Sequence, residues 1–506
     1  MATTKIQIAS NPVVAKVMNC DEQTRLGLVE LLSYAIPGSE HMGRGGDWSG
    51  RSTLFSYERG TFPAGLLSLV ITHLRQQGEQ VSLIRKPAPE PLGTPFPQVN
   101  EFGRDEKYDY QYQTIEQLVR HRQIIAQVAT GGGKSNIACI GLAWIKRPTL
   151  FVTTRSVLMY QMKRTFEKSL RWRAANGEPE LANIRVGVMG DGEFAPTKTV
   201  CVAMVQTIQA KLKDRNPAVR QRMKEILQTY NLVIAEEAHE ASGNGYYEVL
   251  GLCTEAHYRL ALTGTPFMKE DEEANMKLMA CSGPVAIRVT EKELIDKGIL
   301  ATPKFKYVTA PVPREVTRTS NWQRAYHYGI LNNEGRNKLI ALEARRAARL
   351  GLSVMILVQR KEHGKLLQEL IQDANVRVRY IFGESDKEAR DAALQQLGSG
   401  KINVLIGSTI LDVGVDVPSV GMVILAGGGK AEVALRQRIG RGLRAKPKGQ
   451  LNVAYVIDFN DMKNKHLLAH ATQRRQIVES TPGFVENILK PGEDFDFTHL
   501  KKETKE

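Results

Sequence analysis

The stretch Val128-Ala-Thr-Gly-Gly-Gly-Lys-Ser135 constrains the fold more than any other part of this 506-residue chain. An apolar run over 124–128, with Gln127 inside it, leads straight into three glycines, a lysine and a serine, and 136–145 then reads as helix. Strand, glycine-rich turn and helix N-terminus in that order make an anion site, because backbone N–H groups wrap phosphate oxygens and the helix end adds its dipole. The pattern gives Thr130, Gly131, Gly132 and Gly133 to the phosphate cradle, Lys134 to the β and γ phosphates, and the Ser135 hydroxyl to Mg²⁺. Its strict form asks for glycine six residues before the lysine. Here that position is Val128.

A loop of this kind belongs to a parallel sheet covered by helices, and the surrounding chain alternates accordingly. Strands are expected at 124–128, 150–153, 200–205, 232–235 and 260–263. A second alternating unit follows a crossover near 300–311, with strands expected at 354–358, 378–382, 402–406, 422–426 and 453–457. Ahead of both, residues 1–86 read as a small α+β module. Asp21 caps a first helix there, 66–75 forms a second, and 53–57 and 81–85 form strands. Five prolines (Pro87, Pro89, Pro91, Pro95 and Pro97) make 87–104 a stiff, extended linker. The expected domains are therefore 1–86, 105–300 and 301–480, with 481–506 a polar, frayed tail. Two α/β units share one phosphate loop, so the second must serve the first.

Chemistry collects at the strand ends. Leu232-Val-Ile-Ala-Glu-Glu-Ala-His239 is an apolar strand ending in two carboxylates. At the carboxyl edge of a parallel sheet, Glu236 would enter the Mg²⁺ shell and Glu237 would orient or deprotonate the attacking water. The same pair would otherwise cap the next helix. Leu262-Thr-Gly-Thr-Pro266 follows the next strand. In the second unit, Ser408-Thr-Ile-Leu-Asp-Val-Gly-Val-Asp-Val-Pro418 precedes Gln437-Arg-Ile-Gly-Arg-Gly-Leu-Arg444, whose arginines form a cationic helix face. Such a face neutralises charge on a transferring γ-phosphoryl group, or is simply solvated.

The formal charge of +15 points to a polyanionic partner, most simply nucleic acid. Arg44, Trp48, Arg51 and Arg59 set cations beside an aromatic ring, a combination that grips a phosphate backbone or stacks on a base. Trp48 as a local core anchor, with the arginines solvated, explains the same residues. Residues 1–10 hold no signal-peptide core, no apolar run reaches membrane-spanning length, and five cysteines are scattered without CxxC spacing. Reduced thiols in a cytosolic setting are expected, with neither a zinc site nor a disulfide framework.

Taken together, residues 105–475 resemble the superfamily-two helicases and translocases. The resemblance implies two tandem RecA-like domains, with ATP and Mg²⁺ as cofactors. Tyr110-Gln111, where Gln111 stands 23 residues before Lys134, is similar to the adenine-reading Q motif, so Gln111 is implied to contact the base. Thr153-Thr-Arg155 and Met204-Val-Gln-Thr207 resemble strand-binding motifs, giving Arg155, Gln206 and Thr207 to nucleic acid. Residues 262–266 match the segment that couples ATP state to the nucleic-acid face. In 408–418, Ser408 is implied to touch nucleic-acid phosphate and Asp416 the nucleotide ribose. Arg441 and Arg444 fall on arginine-finger positions. Glu236 replaces the family's usual aspartate, lengthening the metal ligand by one methylene.

Residues 47–51 with Trp48 and Arg51, together with 62–66, 382–390 and 458–475, further resemble the UvsW-type recombination helicases of phages. That resemblance implies a monomeric, cytoplasmic DNA enzyme of a bacterial cell or phage-infected host. It would remodel branched intermediates by fork regression or branch migration, through sequence-independent backbone contacts. Two other readings stay open. The core motifs do not separate DNA from RNA, although no RRM or KH signature is visible, and a nucleic-acid-binding scaffold with a decayed ATPase would also carry these residues.

Overall fold

The computed structural model describes residues 6–36, 50–237, 244–267, 271–382, 387–407, 420–429, 445–446, 451–498 and 500. The chain divides into two compact units, 1–128 with 133–289, and 129–132 with 290–506.

The first unit begins with two strands that were not foreseen, β1 (Ile6–Ser10) and β2 (Val14–Met18). Each buries alternate residues, Ile6 and Ile8 in one, Ala15 and Val17 in the other, which is the period of a strand with one face on a core. Helix α1 (Glu22–Leu31) starts where expected, with Asp21 Oδ1 accepting from Thr24 N–H at 2.7 Å. A short hairpin joins β3 (Ser33–Ala35) to β4 (Arg51–Thr53), so the strand expected over 53–57 lies earlier. Strands β5 (Thr61–Pro63) and β6 (Val81–Arg85) complete a four-stranded sheet of order β5-β2-β1-β6, and α2 (Leu67–Gln76) covers it with Leu67, Val70 and Leu74.

This module is fixed to the α/β domain that follows. Its core includes Ala280 and takes up Met276 and Met279 from the helix Glu272–Ser282. The approach is close enough that a Cβ on Gly65 would stand 2.2 Å from Met279 O. The proline-rich segment, expected as a stiff extended linker, is held as a strap against the domain that follows. Leu92 and Gly93 N–H groups donate to Ile145 O and Trp144 O, both at 3.1 Å, and Tyr258 Oη donates to Pro89 O at 2.9 Å. A Cβ on Gly93 would meet Ala143 O at 2.0 Å, so only glycine fits there.

The α/β domain carries α3 (Asp109–His121), β7 (Gln123–Val128), α4 (Lys134–Ile145), β8 (Thr149–Thr153), α5 (Ser156–Ala175), β9 (Val186–Gly190), β10 (Glu193–Ala195), β11 (Val200–Met204), α6 (Val205–Leu212), β12 (Leu232–Glu236), β13 (Tyr258–Thr263) and β14 (Val285–Val289). The sheet order among the described residues is β10-β9-β11-β8-β12-β13-β7-β14. All neighbours pair in parallel except β10 with β9. Strands β7, β8, β12 and β13 are the central ones and read as near-continuous apolar runs, as strands buried on both faces must.

In the second unit, β15 (Thr302–Thr309), β16 (Val354–Leu357), β17 (Val378–Ile381), β18 (Val404–Gly407), β19 (Met422–Leu425) and β20 (Val453–Asn460) form a parallel sheet of order β15-β20-β19-β16-β18-β17. This is an α/β architecture of two tandem RecA-like sheets behind a small α+β module. The expected fraying of the C-terminal stretch does not hold for 481–498. Phe484, Phe495 and Phe497 are buried, Leu489 N–H donates to Phe305 O at 2.9 Å, and Tyr455 sits 4.8 Å from both Phe495 and Phe497 rings. Three aromatic residues outweigh the polar composition around them. No helix among the described residues is long and apolar enough to cross a membrane.

Candidate active site

Parallel pairing decides where the chemistry gathers. Glu236 of β12 lies opposite Leu262 of β13, Thr263 opposite Gln127 of β7, and Met204 of β11 opposite Thr153 of β8. The segments that leave these strands, 128–135, 153–155, 204–207, 236–237 and 263–266, therefore all start from one carboxyl edge. Ligands of open α/β sheets bind at that edge.

In the phosphate loop, Gly131 (φ 88°) and Gly133 (φ 79°) occupy the left-handed region, which glycine enters without strain. Gly132 N–H donates to Ala129 O at 3.0 Å, closing a turn, and Asn136 and Ile137 N–H both donate to Gly133 O as α4 begins at Lys134. Thr130 lies in the turn and Ser135 in the first turn of α4. Gln111 is 3% exposed and comes from α3. A Cβ on Gly133 would stand 2.4 Å from its Nε2, so the glutamine is set against the last glycine of the loop. Asn136 holds it there, donating from Nδ2 to Gln111 Oε1 at 2.6 Å, while Asn100 donates to Asn136 Oδ1 at 2.9 Å. Neither asparagine was singled out from the sequence. Burial pushes the neighbouring Tyr110 phenol up to about 12, so it stays a neutral hydroxyl at physiological pH.

Glu237 adopts φ 47°, in the left-handed region, where a side chain other than glycine stores on the order of 1–3 kcal/mol of strain. Its N–H donates to Leu262 O at 3.0 Å. The turn sends its carboxylate towards the loop, where Oε1 lies 3.6 Å from Lys134 Nζ, with both side chains about nine-tenths buried. Glu236 is buried at the end of β12. Tyr246, also buried, donates to Glu236 O at 2.7 Å and lies 3.4 Å from Val152 O, tying the ends of β12 and β8 together. Its place in Gly245-Tyr-Tyr247 matches no motif, so the sequence carried no signal for it. Thr263 Oγ1 accepts from Thr265 N–H at 3.2 Å, and Gln127 donates to Gly264 O at 3.4 Å, which links the turn after β13 back to β7.

The donor set suits Mg²⁺. Among the described residues no group of three or more His, Cys, Asp or Glu side chains could enclose a metal. A hydroxyl (Ser135) and a buried carboxylate (Glu236) are hard oxygen donors, and Mg²⁺ is ordinarily held by one or two such groups together with substrate phosphates.

On the same edge, Arg155 precedes α5 and Gln206 and Thr207 open α6. Gln206 Nε2 donates to Thr154 O at 3.0 Å, so the two segments expected to hold a strand are joined. Arg51 lies elsewhere, in the N-terminal module. Its guanidinium bonds Ser33 Oγ at 3.0 Å and pairs with Glu272 at 3.4 Å. That ion pair is exposed and contributes under about 1 kcal/mol. Trp48, Ser408, Asp416, Arg441 and Arg444 lie outside the described residues.

Comparison with known proteins assigns both units. Residues 105–268 match the family model described as type III restriction enzyme, res subunit, and residues 327–446 the helicase conserved C-terminal domain. The chain is 25% identical to the ATP-dependent DNA helicase uvsW of Enterobacteria phage T4, over 88% of each protein. It is also 25% identical to the DNA 3'-5' translocase XPB2 of Sulfurisphaera tokodaii, over 72% of this chain and 83% of that one. It shares its fold with a DNA-bound crystal structure of the DUF1998 helicase MrfA, with a TM-score of 0.54 and 12% identity over 78% of this chain and 53% of that one.

Proposed function

We propose that this chain, which belongs to the superfamily-two helicases and is an ATP-hydrolysing DNA helicase resembling UvsW, is a monomeric translocase that remodels branched DNA by fork regression or branch migration. The observation that carries this reading is the single sheet edge from which the phosphate loop, the paired glutamates and the two joined segments at 153–155 and 204–207 all leave. Chemistry and strand grip on one edge are what coupling of ATP state to DNA movement needs. The names of the T4 and Sulfurisphaera relatives favour DNA over RNA.

In this reading the loop glycines and Lys134 bind the triphosphate, and Gln111 reads adenine from beside Gly133. Ser135 and Glu236 would hold Mg²⁺, which supplies charge neutralisation on the phosphates when bound. Lys134 is paired with Glu237 at 3.6 Å. Triphosphate competes for the lysine and leaves the glutamate carboxylate available to take a proton from the attacking water. Asp416 holds the ribose, and Arg441 and Arg444 neutralise the γ-phosphoryl charge as arginine fingers. Arg155, Gln206, Thr207 and Ser408 exchange grip on backbone phosphates through the cycle, and Trp48 and Arg51 add contacts from the N-terminal module. Backbone contacts make binding independent of sequence and steeply salt-dependent.

The test is a panel of fork, four-way junction, duplex, single-stranded DNA and RNA, scored for ATPase stimulation and for remodelling. Strongest stimulation and strand exchange on forks and junctions are expected. Equal stimulation by every DNA would remove the branched-DNA role, and stronger stimulation by RNA would move the enzyme to another substrate.

A further inference from the structure

A second cationic site lies at the other end of β7. Where the N-terminal module meets the first α/β domain, a cavity of about 40 Å³ is bounded by Arg85, Lys86, His121, Arg122, Gln123 and His257, with no acidic side chain in its lining. Gln123 opens β7 and Val128 closes it, so the six-residue strand separates this cavity from the phosphate loop by roughly 17 Å.

Three of its cations carry fixed charge. Arg85 and Lys86 end and follow β6, while Arg122 forms the turn between α3 and β7. Among the described residues Glu255 supplies a counter-charge outside the lining, 3.1 Å from Lys86 Nζ and 3.9 Å from His257 Nε2. The cluster works against itself. Desolvation and then Arg122 hold the Arg85 guanidinium below its usual value, and desolvation and then Lys86 do the same to the His257 imidazole. Arg122 is also strained, at φ 71°. Its Nη1 is buried without a hydrogen-bond partner, as is Oε1 of Gln123 beside it. A buried, unsatisfied donor costs more on a cation than on a neutral group. An occupant that is anionic and brings its own hydroxyl or water removes both defects. Volume limits its size. One water needs about 10–15 Å³ by this measure, so a single tetrahedral oxyanion fits and a nucleoside does not.

We propose that this cavity is a phosphate-group site, separate from the ATP edge, with Arg122 as its buried donor and Arg85 and Lys86 at its mouth. The phosphate is either a free ion or one group of a DNA backbone crossing the seam.

The test uses the full chain with Lys134→Ala, which removes the lysine of the phosphate loop. Inorganic phosphate is titrated against melting temperature, with chloride matched for ionic strength. A saturable rise is expected, with its half-maximal concentration raised at least tenfold by Arg122→Asn, a residue that tolerates the left-handed backbone, and by the surface change Arg85→Gln. No saturable rise beyond chloride, or a half-maximal concentration that neither substitution moves, overturns the proposal. Salt titration of fluorescent duplex binding then separates the sources. A salt slope lowered by about one in Arg85→Gln assigns the group to DNA backbone. An unchanged slope alongside the lost phosphate response assigns it to the free ion.

Discussion

The charges at the edge of the first parallel sheet and those within the second unit are arranged in opposite ways. At the first edge, Lys134 and Glu237 meet at 3.6 Å, longer than a good hydrogen bond, and Glu237 sits on strained backbone. In the second unit, Arg336 has no exposure, donates to Asp461 Oδ1 at 2.6 Å and lies 4.0 Å from the centre of the Phe459 ring. Arg474 donates to Asp458 Oδ2 at 2.9 Å and to Gly429 O at 3.0 Å. The first set meets beyond good hydrogen-bond distance, and under the proposed function it exchanges this contact for triphosphate. The second is buried and paired by short bonds, with only Arg336 Nε and Asp461 Oδ2 of these four side chains lacking a hydrogen bond, and it holds strand β20 to the chain around it.

The contrast predicts which substitutions strike activity and which strike stability. Glu237→Gln should lower DNA-stimulated turnover by on the order of 10²–10⁴-fold, with Lys134→Ala close behind, while melting temperature hardly moves. A melting temperature that fell in step with activity would place these residues among the structural charges. Arg336→Ala should do the reverse, destabilising by about 3–5 kcal/mol because the buried Asp461 loses its hydrogen-bonded cation and keeps only Arg474, 3.8 Å away. Denaturant unfolding reads this directly, and a loss under about 1 kcal/mol would show that the Arg336–Asp461 pair does not hold the fold.

A smaller effect comes from His363, which is fully buried against Asn337 at 2.9 Å. Burial, and then the Arg336 charge, push its imidazole down to about 3. Below the ordinary histidine value of about 6.5 the unfolded chain takes up a proton that the fold refuses. Its contribution is therefore complete above about pH 6.5 and is lost towards pH 3, at up to about 1.4 kcal/mol per pH unit. His363→Gln should flatten that slope between pH 7 and 5, and an unaltered slope would assign it to other groups. The smallest change is expected from Glu236→Asp, which restores the shorter carboxylate. Turnover should hold or rise within about tenfold, and its abolition would remove Glu236 from the metal site.

What the sequence disclosed follows the same division. Central strands of the first sheet were legible because both faces are buried and the apolar runs are nearly continuous, and the strand-end segments because ligand chemistry restricts residue type. Edge elements were not. Glu193-Phe-Ala195 has every residue exposed, and β14 buries only Val289. The short alternation of β1 and β2 fell below notice, though Ile6, Ile8, Ala15 and Val17 carry it. Residues that position others escaped for a different reason. Tyr246 and Asn136 act through hydrogen bonds to partners far along the chain or one helix over, and neither leaves a local pattern. The C-terminal phenylalanines were hidden by the charged residues between them.

The proline-rich strap has a consequence for how the N-terminal module would act on DNA. A module on a free tether meets its ligand at an effective concentration set by linker length, and pays loop-closure entropy each time it engages. Here Gly93, seated against Ala143 O, and the bonds from Leu92 and to Pro89 remove that freedom in advance. The module is a fixed extension of the sheet that carries the phosphate loop. Because the module also shares its core with Met276, Met279 and Ala280, glycine and serine inserted into 87–104 should leave its share of DNA affinity independent of their number, and only loss of that packing would restore the tether.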